Sequence, residues 1–314
     1  MASEGERPWL SLAEEVRAAM AGRRPVLALE SSIVAQGFPH PENLELAHEM
    51  AAAVRGAGAV PAQVALLDGT VRVGLGEAEI ERLARPGAMK CSSRDIAYAL
   101  TQRLVGATTV AATARIASLL GIRVFATGGI GGVHPGEGGR DISADLAELS
   151  RCAVAVVCSG AKSILDLAAT LEALEALGVP VIGVGTDRFP AFHAADSGLA
   201  LGRRIDRPEA LAELMAAHWA VVPDGGLLFC QPPPAAQAIG KAELDALVAR
   251  ALAEAAAANV GGQALTPYLL DRLNRLSGGR TLRVNRALAL ANARLGAEIA
   301  VAWARRRESV PVSD

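Results

Sequence analysis

The chain has 314 residues, 51% of them hydrophobic but only 3% aromatic, with 31 basic against 33 acidic side chains and a net charge of −2. So balanced a surface holds no standing field for a nucleic-acid backbone or an anionic membrane, and any anion must be captured locally. The length allows one large or two ordinary domains, and the scarcity of aromatics means a core packed from Ala, Val, Leu and Ile.

The first 25 residues carry Glu4, Glu6, Glu14 and Glu15 and no long apolar run, unlike a signal peptide. No stretch reaches the ~20 apolar residues of a membrane helix without a charge or a helix breaker. A cytoplasmic protein is expected. Residues 1–24 read as an N-terminal helical segment, with helical spacing over 9–22 closed by Pro25. The run 26–29 is a short apolar strand with Glu30, Ser31 and Ser32 at its carboxyl end, where α/β sheets place ligands. A plain strand-exit acid is the alternative for Glu30. PHPENLELAHEM opens a helix, and VPAQVALLDGTVRVGL reads as two strands around a tight turn at Asp68-Gly69. That hairpin interrupts strict strand–helix alternation and predicts antiparallel additions to a parallel sheet.

Lys90 stands near a loop-to-helix junction, with Ser92 and Asp95 suited to the helix start, so it is either a phosphate contact or a solvated lysine. Thr108 and Thr109 precede another apolar helix, where they bind a polar ligand or cap. VFATGGIGGVH runs a strand into glycines, but its G-G-x-G-G spacing and the lack of an immediate helix exclude a dinucleotide site. Asp141 and Asp145 flank Ser143 and share a face if helical; they suit a hydrated Mg²⁺ or Mn²⁺, or merely acidify a helix start. AVAVVCSGAKSILDL brings Lys162 out of a buried strand, with a helix from about Ser163. A desolvated lysine amine is a nucleophile for a sugar carbon or a carbonyl, whereas a surface lysine is not. His134 could meet a phosphate or move a proton, while His40, His48, His193 and His218 read as structural. Cys91, Cys152, Cys158 and Cys230 lack zinc or disulfide spacing and read as reduced, buried thiols.

Beyond 208 the chain reads as helices around the strand-like GGLLFCQPPP. Thr266 and Pro267 look like the cap and first residue of one helix, Asn285 like the cap of the last, and 308–314 like a disordered tail. With no repeat and no linker, 1–314 reads as one catalytic α/β domain, a largely parallel mixed sheet flanked by helices. Its strands deliver Glu30, Thr127, Asp141 and Lys162 towards one edge.

Together LALESSIVAQGFPHPENLELA, GGIGGVH, DISADL, CSGAKSILDL, GVGTDRFPAF and LTPYLLDRLNRLSGG resemble the pseudouridine-5′-phosphate glycosidase family, also known as the indigoidine synthase A family, over roughly residues 24–304. The resemblance implies reversible cleavage of the C–C bond of pseudouridine 5′-phosphate to uracil and ribose 5-phosphate. It makes Lys162 the nucleophile of a Schiff-base intermediate and Glu30 the proton donor. It implies Asp141 as the Mn²⁺ ligand, Lys90, Val110, Ser143, Ala144 and Asp145 as substrate contacts, and Thr127, His134 and Asn285 as pocket residues. A homotrimer is expected as well. The chain departs from the family pattern in the loop HPGEGGR, at Gln231 and at Gln263. Two other readings stay open: a lysine-dependent phosphosugar lyase or aldolase, and a non-catalytic phosphosugar or nucleotide sensor.

Overall fold

The computed structural model describes residues 7–136, 141–261 and 265–309. Its strands are β1 (Leu10–Leu12), β2 (Val26–Leu29), β3 (Val60–Leu67), β4 (Thr70–Val73), β5 (Met89–Cys91), β6 (Gly106–Thr108), β7 (Val124–Ala126), β8 (Ala155–Cys158), β9 (Val181–Gly183) and β10 (Leu227–Cys230). The helices are α1 (Glu14–Ala21), α2 (Ser32–Gln36), α3 (Glu42–Gly56), α4 (Glu77–Ala84), α5 (Ile96–Thr101), α6 (Val110–Leu120), α7 (Ala144–Leu149), α8 (Leu167–Ala176), α9 (Pro208–Val221), α10 (Lys241–Ala257), α11 (Leu265–Leu276) and α12 (Arg280–Ser309). The strands form one sheet in the order β1-β4-β3-β2-β7-β8-β10-β9, with β6 branching from β3 and β5 lying outside β6. Among the described residues seven strand pairs are parallel, and only β3 with β4 and β3 with β6 are antiparallel. The expected mixed, largely parallel sheet is what forms.

Both faces of the central strands are covered, which is why they read as continuous apolar runs. Val124, Ala126, Ala155, Val157, Leu227 and Phe229 pack with α3, α9 and α12, while the alternate Phe125, Val156, Cys158, Leu228 and Cys230 pack with α6, α7, α8, α10 and α11. Helix α12 is long and apolar enough to cross a membrane, but 61% of its apolar window is buried in the protein, as befits a core helix. It lies between α3 and α9 and against β2, β7 and β8. All four cysteines are free and buried.

The β3–β4 turn has positive φ at both Asp68 (54°) and Gly69 (85°), the geometry a two-residue hairpin needs. Other local expectations are corrected. Residues 9–22 are not all helix: Leu10–Leu12 form the outermost strand of the sheet, hydrogen-bonded in parallel to β4, before α1 begins. Lys90 lies inside β5, ahead of a short 3₁₀ turn at Ser93–Asp95. The helix after Lys162 starts at Leu167, capped by the Asp166 carboxylate, because Lys162–Leu165 forms a turn first. Thr266 sits inside α11, which starts at Leu265, and Asn285 sits inside α12, whose first turn is already formed at Arg280. Gln263, residues 137–140 of the HPGEGGR loop and residues 310–314 of the tail lie outside the described residues.

Candidate active site

The sheet forks where the carboxyl half of β3 leaves β2 for β6, and two hydroxyls fill the split. The Ser31 Oγ accepts from the Thr108 amide at 2.9 Å, and the Thr108 hydroxyl donates to the Val64 carbonyl at 2.7 Å. This brings the end of β2, the end of β6 and the start of α6 together. Glu30, the residue after β2, is 6% exposed. Its carboxylate accepts from the hydroxyls of Ser32 and Thr127, Thr127 being the first residue after β7. Burial raises the Glu30 pKa above the ordinary carboxylate range; Lys162 and the two hydroxyls pull it back, and the Asp145 charge adds a smaller upward push.

Lys162 emerges beyond β8, where the chain stays bridged to the strand beside it. The Ile130 amide donates to the Gly160 carbonyl at 3.0 Å, and the Lys162 amide to the Ile130 carbonyl at 3.1 Å. Gly160 has φ +76°, and a side chain there would collide with the Pro190 carbonyl at 2.0 Å, so glycine is required two residues before the lysine. The Lys162 side chain is half-buried and makes no hydrogen bond to a described side chain.

Lys90 projects from β5. Solvent reaches it, yet surrounding protein desolvates its ammonium and lowers its pKa; repulsion from Lys162 adds to this, and Asp145 and Glu30 oppose it. Burial likewise lowers the His134 pKa, against Asp141 and with smaller repulsions from Lys162 and Lys90, and its buried Nδ1 has no partner. Glu30, Lys90, His134, Asp141, Asp145 and Lys162 are therefore linked in one electrostatic neighbourhood at the carboxyl edge of the sheet.

Asp141 and Asp145 do not share a helix face. Ile142 bridges Val133 in an antiparallel step, Ser143 caps α7 in extended conformation, and α7 begins at Ala144. Asp145 is buried, its Oδ1 accepting from the Ala111 amide at 2.9 Å and its Oδ2 from the Gly131 amide at 2.8 Å. It ties the glycine turn to the first turn of α6. Gly131 must be glycine, because a Cβ would lie 2.3 Å from the Ser143 Oγ. Asp141 is exposed, and its carboxylate accepts no hydrogen bond from a described residue. No group of three or more His, Cys, Asp or Glu side chains able to hold a metal occurs among the described residues. The donors present fit a hard, water-rich cation on one carboxylate and do not form a protein cage.

Val110 opens α6 with its side chain buried, so its backbone is what it can offer a ligand. Thr109 occupies the cap position without capping, and its buried Oγ1 is unpartnered, as is the Oδ1 of buried Asn285 on α12. Ala144 is exposed at the start of α7. Sequence reasoning missed Asn292, a fully buried amide on α12. Its Nδ2 donates to the carbonyls of Thr127 (2.8 Å) and Gly128 (3.2 Å), and its Oδ1 accepts from Gln231 at 2.8 Å. A lone Asn in the apolar run LALANARLGA was the available signal. It also missed the buried Ser163–His193 pair, joined at 2.8 Å between Oγ and Nδ1. Two surface grooves of about 570 and 690 Å³ run along α12 and contain neither Glu30 nor Lys162. Convergent chemistry, not groove volume, locates the site.

The family model described as indigoidine synthase A like protein matches residues 15–302. The chain is 53% identical to the pseudouridine-5′-phosphate glycosidase of Methylobacterium nodulans, covering 97% of this chain and 91% of that one. It is 54% identical to the protein of the same name from Rhodospirillum centenum, covering 96% and 94%. Among solved structures, the prealnumycin C-glycosynthase AlnA in complex with ribulose 5-phosphate aligns with a TM-score of 0.89 at 41% identity, covering 96% of this chain and 99% of that one. An indigoidine synthase A-like protein from Thermotoga maritima aligns with a TM-score of 0.85 at 34% identity, covering 93% and 95%.

Proposed function

The chain belongs to the indigoidine synthase A-like family, and on that premise we propose that it is a pseudouridine-5′-phosphate glycosidase. It cleaves the C–C bond between base and sugar reversibly, giving uracil and D-ribose 5-phosphate. The observation that carries the reading is the pairing of Glu30 and Lys162: a buried carboxyl of raised pKa in the electrostatic reach of a lysine with no competing side-chain partner. The ribulose 5-phosphate held by AlnA supports a pentose-phosphate pocket on the same fold.

A C-glycoside has no glycosidic oxygen to protonate, so the paired-carboxylate route of ordinary glycosidases is closed. In the proposed route the neutral amine of Lys162 bonds to C1′ while the C1′–O4′ bond breaks, and the ring oxygen takes a proton from Glu30. The adduct nitrogen gives up a proton and uracil C5 gains one; the nitrogen lone pair then forms a C=N bond as the C1′–C5 bond breaks, and the electron pair of that bond restores the C5=C6 double bond of the departing uracil. Water adds to the imine and releases ribose 5-phosphate and the free amine. Burial serves Glu30 because it shifts the carboxyl towards its protonated, proton-donating form.

Lys90 and His134 are assigned to the phosphate, Lys90 by charge and His134 by its free ring nitrogen. Thr127 orients Glu30 through its hydroxyl. The remaining substrate contacts are Val110, Ser143 and Ala144 through their backbone and cap atoms, Asp145 through the turn it holds, and Asn285 through its unpartnered Oδ1. Asp141 would hold Mn²⁺ with water completing the shell, and the bound ion supplies positive charge beside the anionic ligand. The reading includes a cytoplasmic homotrimer, which sedimentation equilibrium tests directly.

The decisive experiment incubates the enzyme with pseudouridine 5′-phosphate and follows uracil release, then traps the sugar with borohydride. Uracil release with a reduced adduct on Lys162 is expected. Turnover without any lysine adduct would sink the mechanism, and binding without uracil release would sink the activity.

A further inference from the structure

Ser163 follows the lysine in sequence and starts the turn that carries it. The Leu165 amide closes that turn on the Lys162 carbonyl at 3.0 Å, and α8 begins only at Leu167. The direction in which Lys162 leaves the backbone therefore depends on what holds residues 159–165. One side is held by the sheet, through Ile130. The other is held by the loop around residues 189–194, which touches this segment three times. The Phe192 amide donates to the Ser159 carbonyl at 3.0 Å, Gly160 bridges Ala191, and the Ser163 hydroxyl meets His193 Nδ1 at 2.8 Å.

Of these three contacts only the last is made by side chains, and it is the one nearest Lys162. Both partners are buried, His193 at 2% exposure and Ser163 at 9%. Burial lowers the His193 pKa to about 3, so the imidazole is neutral at working pH and is no proton shuttle. It acts as a fixed hydrogen-bond partner. Its own placement is over-determined. Phe192 adopts a left-handed φ of 61°, its ring meets the His193 ring edge-on at 4.6 Å, and it lies where a side chain on Gly129 would collide with it at 2.5 Å. The Ile239 amide donates to the His193 carbonyl at 2.8 Å. A non-glycine residue held in the left-handed region persists only where its surroundings enforce it, and such strain gathers at functional sites.

We propose that Ser163 and His193 are positioning residues for Lys162, a hydrogen-bonded brace that fixes the 162–165 turn and so aims the amine at the sugar carbon. The inference rests on Lys162 being the nucleophile. It does not need either residue to touch the substrate. Attack by an amine is sensitive to aim, because a displacement of about 1 Å costs about 100-fold in rate while leaving ligand binding by remote groups intact. The phosphate contacts assigned to Lys90 and His134 stand on other elements, so loss of the brace should lower kcat without raising KM.

The test is a borohydride trapping series on the full-length enzyme with ribose 5-phosphate. The opened sugar's aldehyde carbon condenses with the lysine amine with loss of water, and borohydride reduces the C=N bond to a stable secondary amine that is mapped by mass spectrometry. Wild type, Lys162→Ala, Ser163→Ala, His193→Phe, His193→Asn and the Ser163→Ala/His193→Phe double variant are compared, with melting curves for each. Ser163→Ala and His193→Phe should each slow trapping and lower kcat about 10- to 100-fold, with KM shifted less than about threefold. The double variant should be no slower than the worse single, since both changes break one contact. His193→Asn places a polar atom near the Nδ1 position and should recover most of the lost rate. Trapping at the wild-type rate in Ser163→Ala, or a fall in melting temperature with unchanged trapping well below it, overturns the brace. So does a His193→Asn variant no better than His193→Phe. Should His193→Phe fail to fold, Ser163→Ala and His193→Asn still decide. A wild-type adduct on another lysine, or an adduct persisting in Lys162→Ala, instead overturns the nucleophile assignment and this inference with it.

Discussion

Asp145 offers the sharpest test of how the site is built, because both its oxygens are already occupied inside the protein. Oδ1 takes the Ala111 amide at 2.9 Å and Oδ2 the Gly131 amide at 2.8 Å, and the residue is only 6% exposed. A hydrogen bond to a charged group contributes about 1.5–3 kcal/mol, and a buried amide left without its partner costs a similar amount. Asp145→Ala strands two amides and should cost about 3–6 kcal/mol. Asp145→Asn keeps one carbonyl oxygen but turns an NH₂ towards the other amide, so one contact becomes donor against donor, at a cost of about 2–3 kcal/mol. Equilibrium urea denaturation reads both values, with unchanged slopes showing that the folded state is otherwise intact. The expected order is wild type, Asn, Ala. If Asp145→Asn unfolds within about 0.5 kcal/mol of wild type while KM rises, Asp145 is a ligand contact and not a clamp, and the reasoning fails.

Glu30→Gln removes the proposed proton donor and should lower kcat about 10²- to 10⁴-fold. It should also stabilise the protein at neutral pH. With its folded pKa raised, Glu30 favours the folded state below the ordinary carboxylate pKa, and this contribution is lost as pH rises through the folded value, so the Gln variant should gain on wild type from acid to neutral pH in thermal melts. A constant difference across that range would contradict the raised pKa. Lys90→Ala should raise KM for the phosphorylated substrate about 10- to 100-fold and weaken inhibition by inorganic phosphate in proportion, with little change for pseudouridine lacking the phosphate. Equal losses on both substrates would remove Lys90 from the phosphate. Exhaustive chelation should lower activity and Mn²⁺ should restore it, with Asp141→Ala raising the Mn²⁺ concentration required while leaving the melting temperature unchanged, since the carboxylate is exposed. Full activity after chelation would refute the metal assignment.

The central strands and most helices were legible because burial on both faces writes itself as continuous apolar runs, and because Asp68-Gly69 is an unambiguous turn. The convergence of Glu30, Thr127 and Lys162 was legible for the same reason: each lies within four residues of the end of a parallel strand. What failed was local. A spacing of four put Asp141 and Asp145 on one helix face, but pairing of Ile142 with Val133 holds the chain extended until Ser143, so one carboxylate faces solvent and the other the interior. Leu10–Leu12 became a strand because the open edge of β4 offered hydrogen bonds that helical periodicity cannot reveal. Asn285 looked like a cap because Asn is a strong capping residue, yet packing carries α12 through it from Arg280.

The residues that sequence reasoning passed over have a common physical character. Asn292, Ser163 and His193 are neutral polar groups set among apolar and small residues, and no charge of their own marks them. Their importance arises because the strands end in glycines and small residues that pack closely but fix little by themselves. Gly131 and Gly160 admit Ser143 and the Pro190 carbonyl into spaces where a Cβ would not fit, and a Cβ at Gly128 would crowd the Asn285 Oδ1 at 3.3 Å. A chain so thin has few side chains of its own to hold it, so its carbonyls and amides must be tied from outside: Thr127 and Gly128 by Asn292, Gly131 by Asp145, Ser159 by Phe192, and the lysine turn by Ser163 and His193. The charged groups proposed to react come from strand ends, and the neutral groups that hold the backbone around them come from distant helices and loops. A change at Asn292 should therefore resemble a change at the catalytic edge, since its amide is the link from α12 to the strand that positions Thr127 and, through its hydroxyl, Glu30.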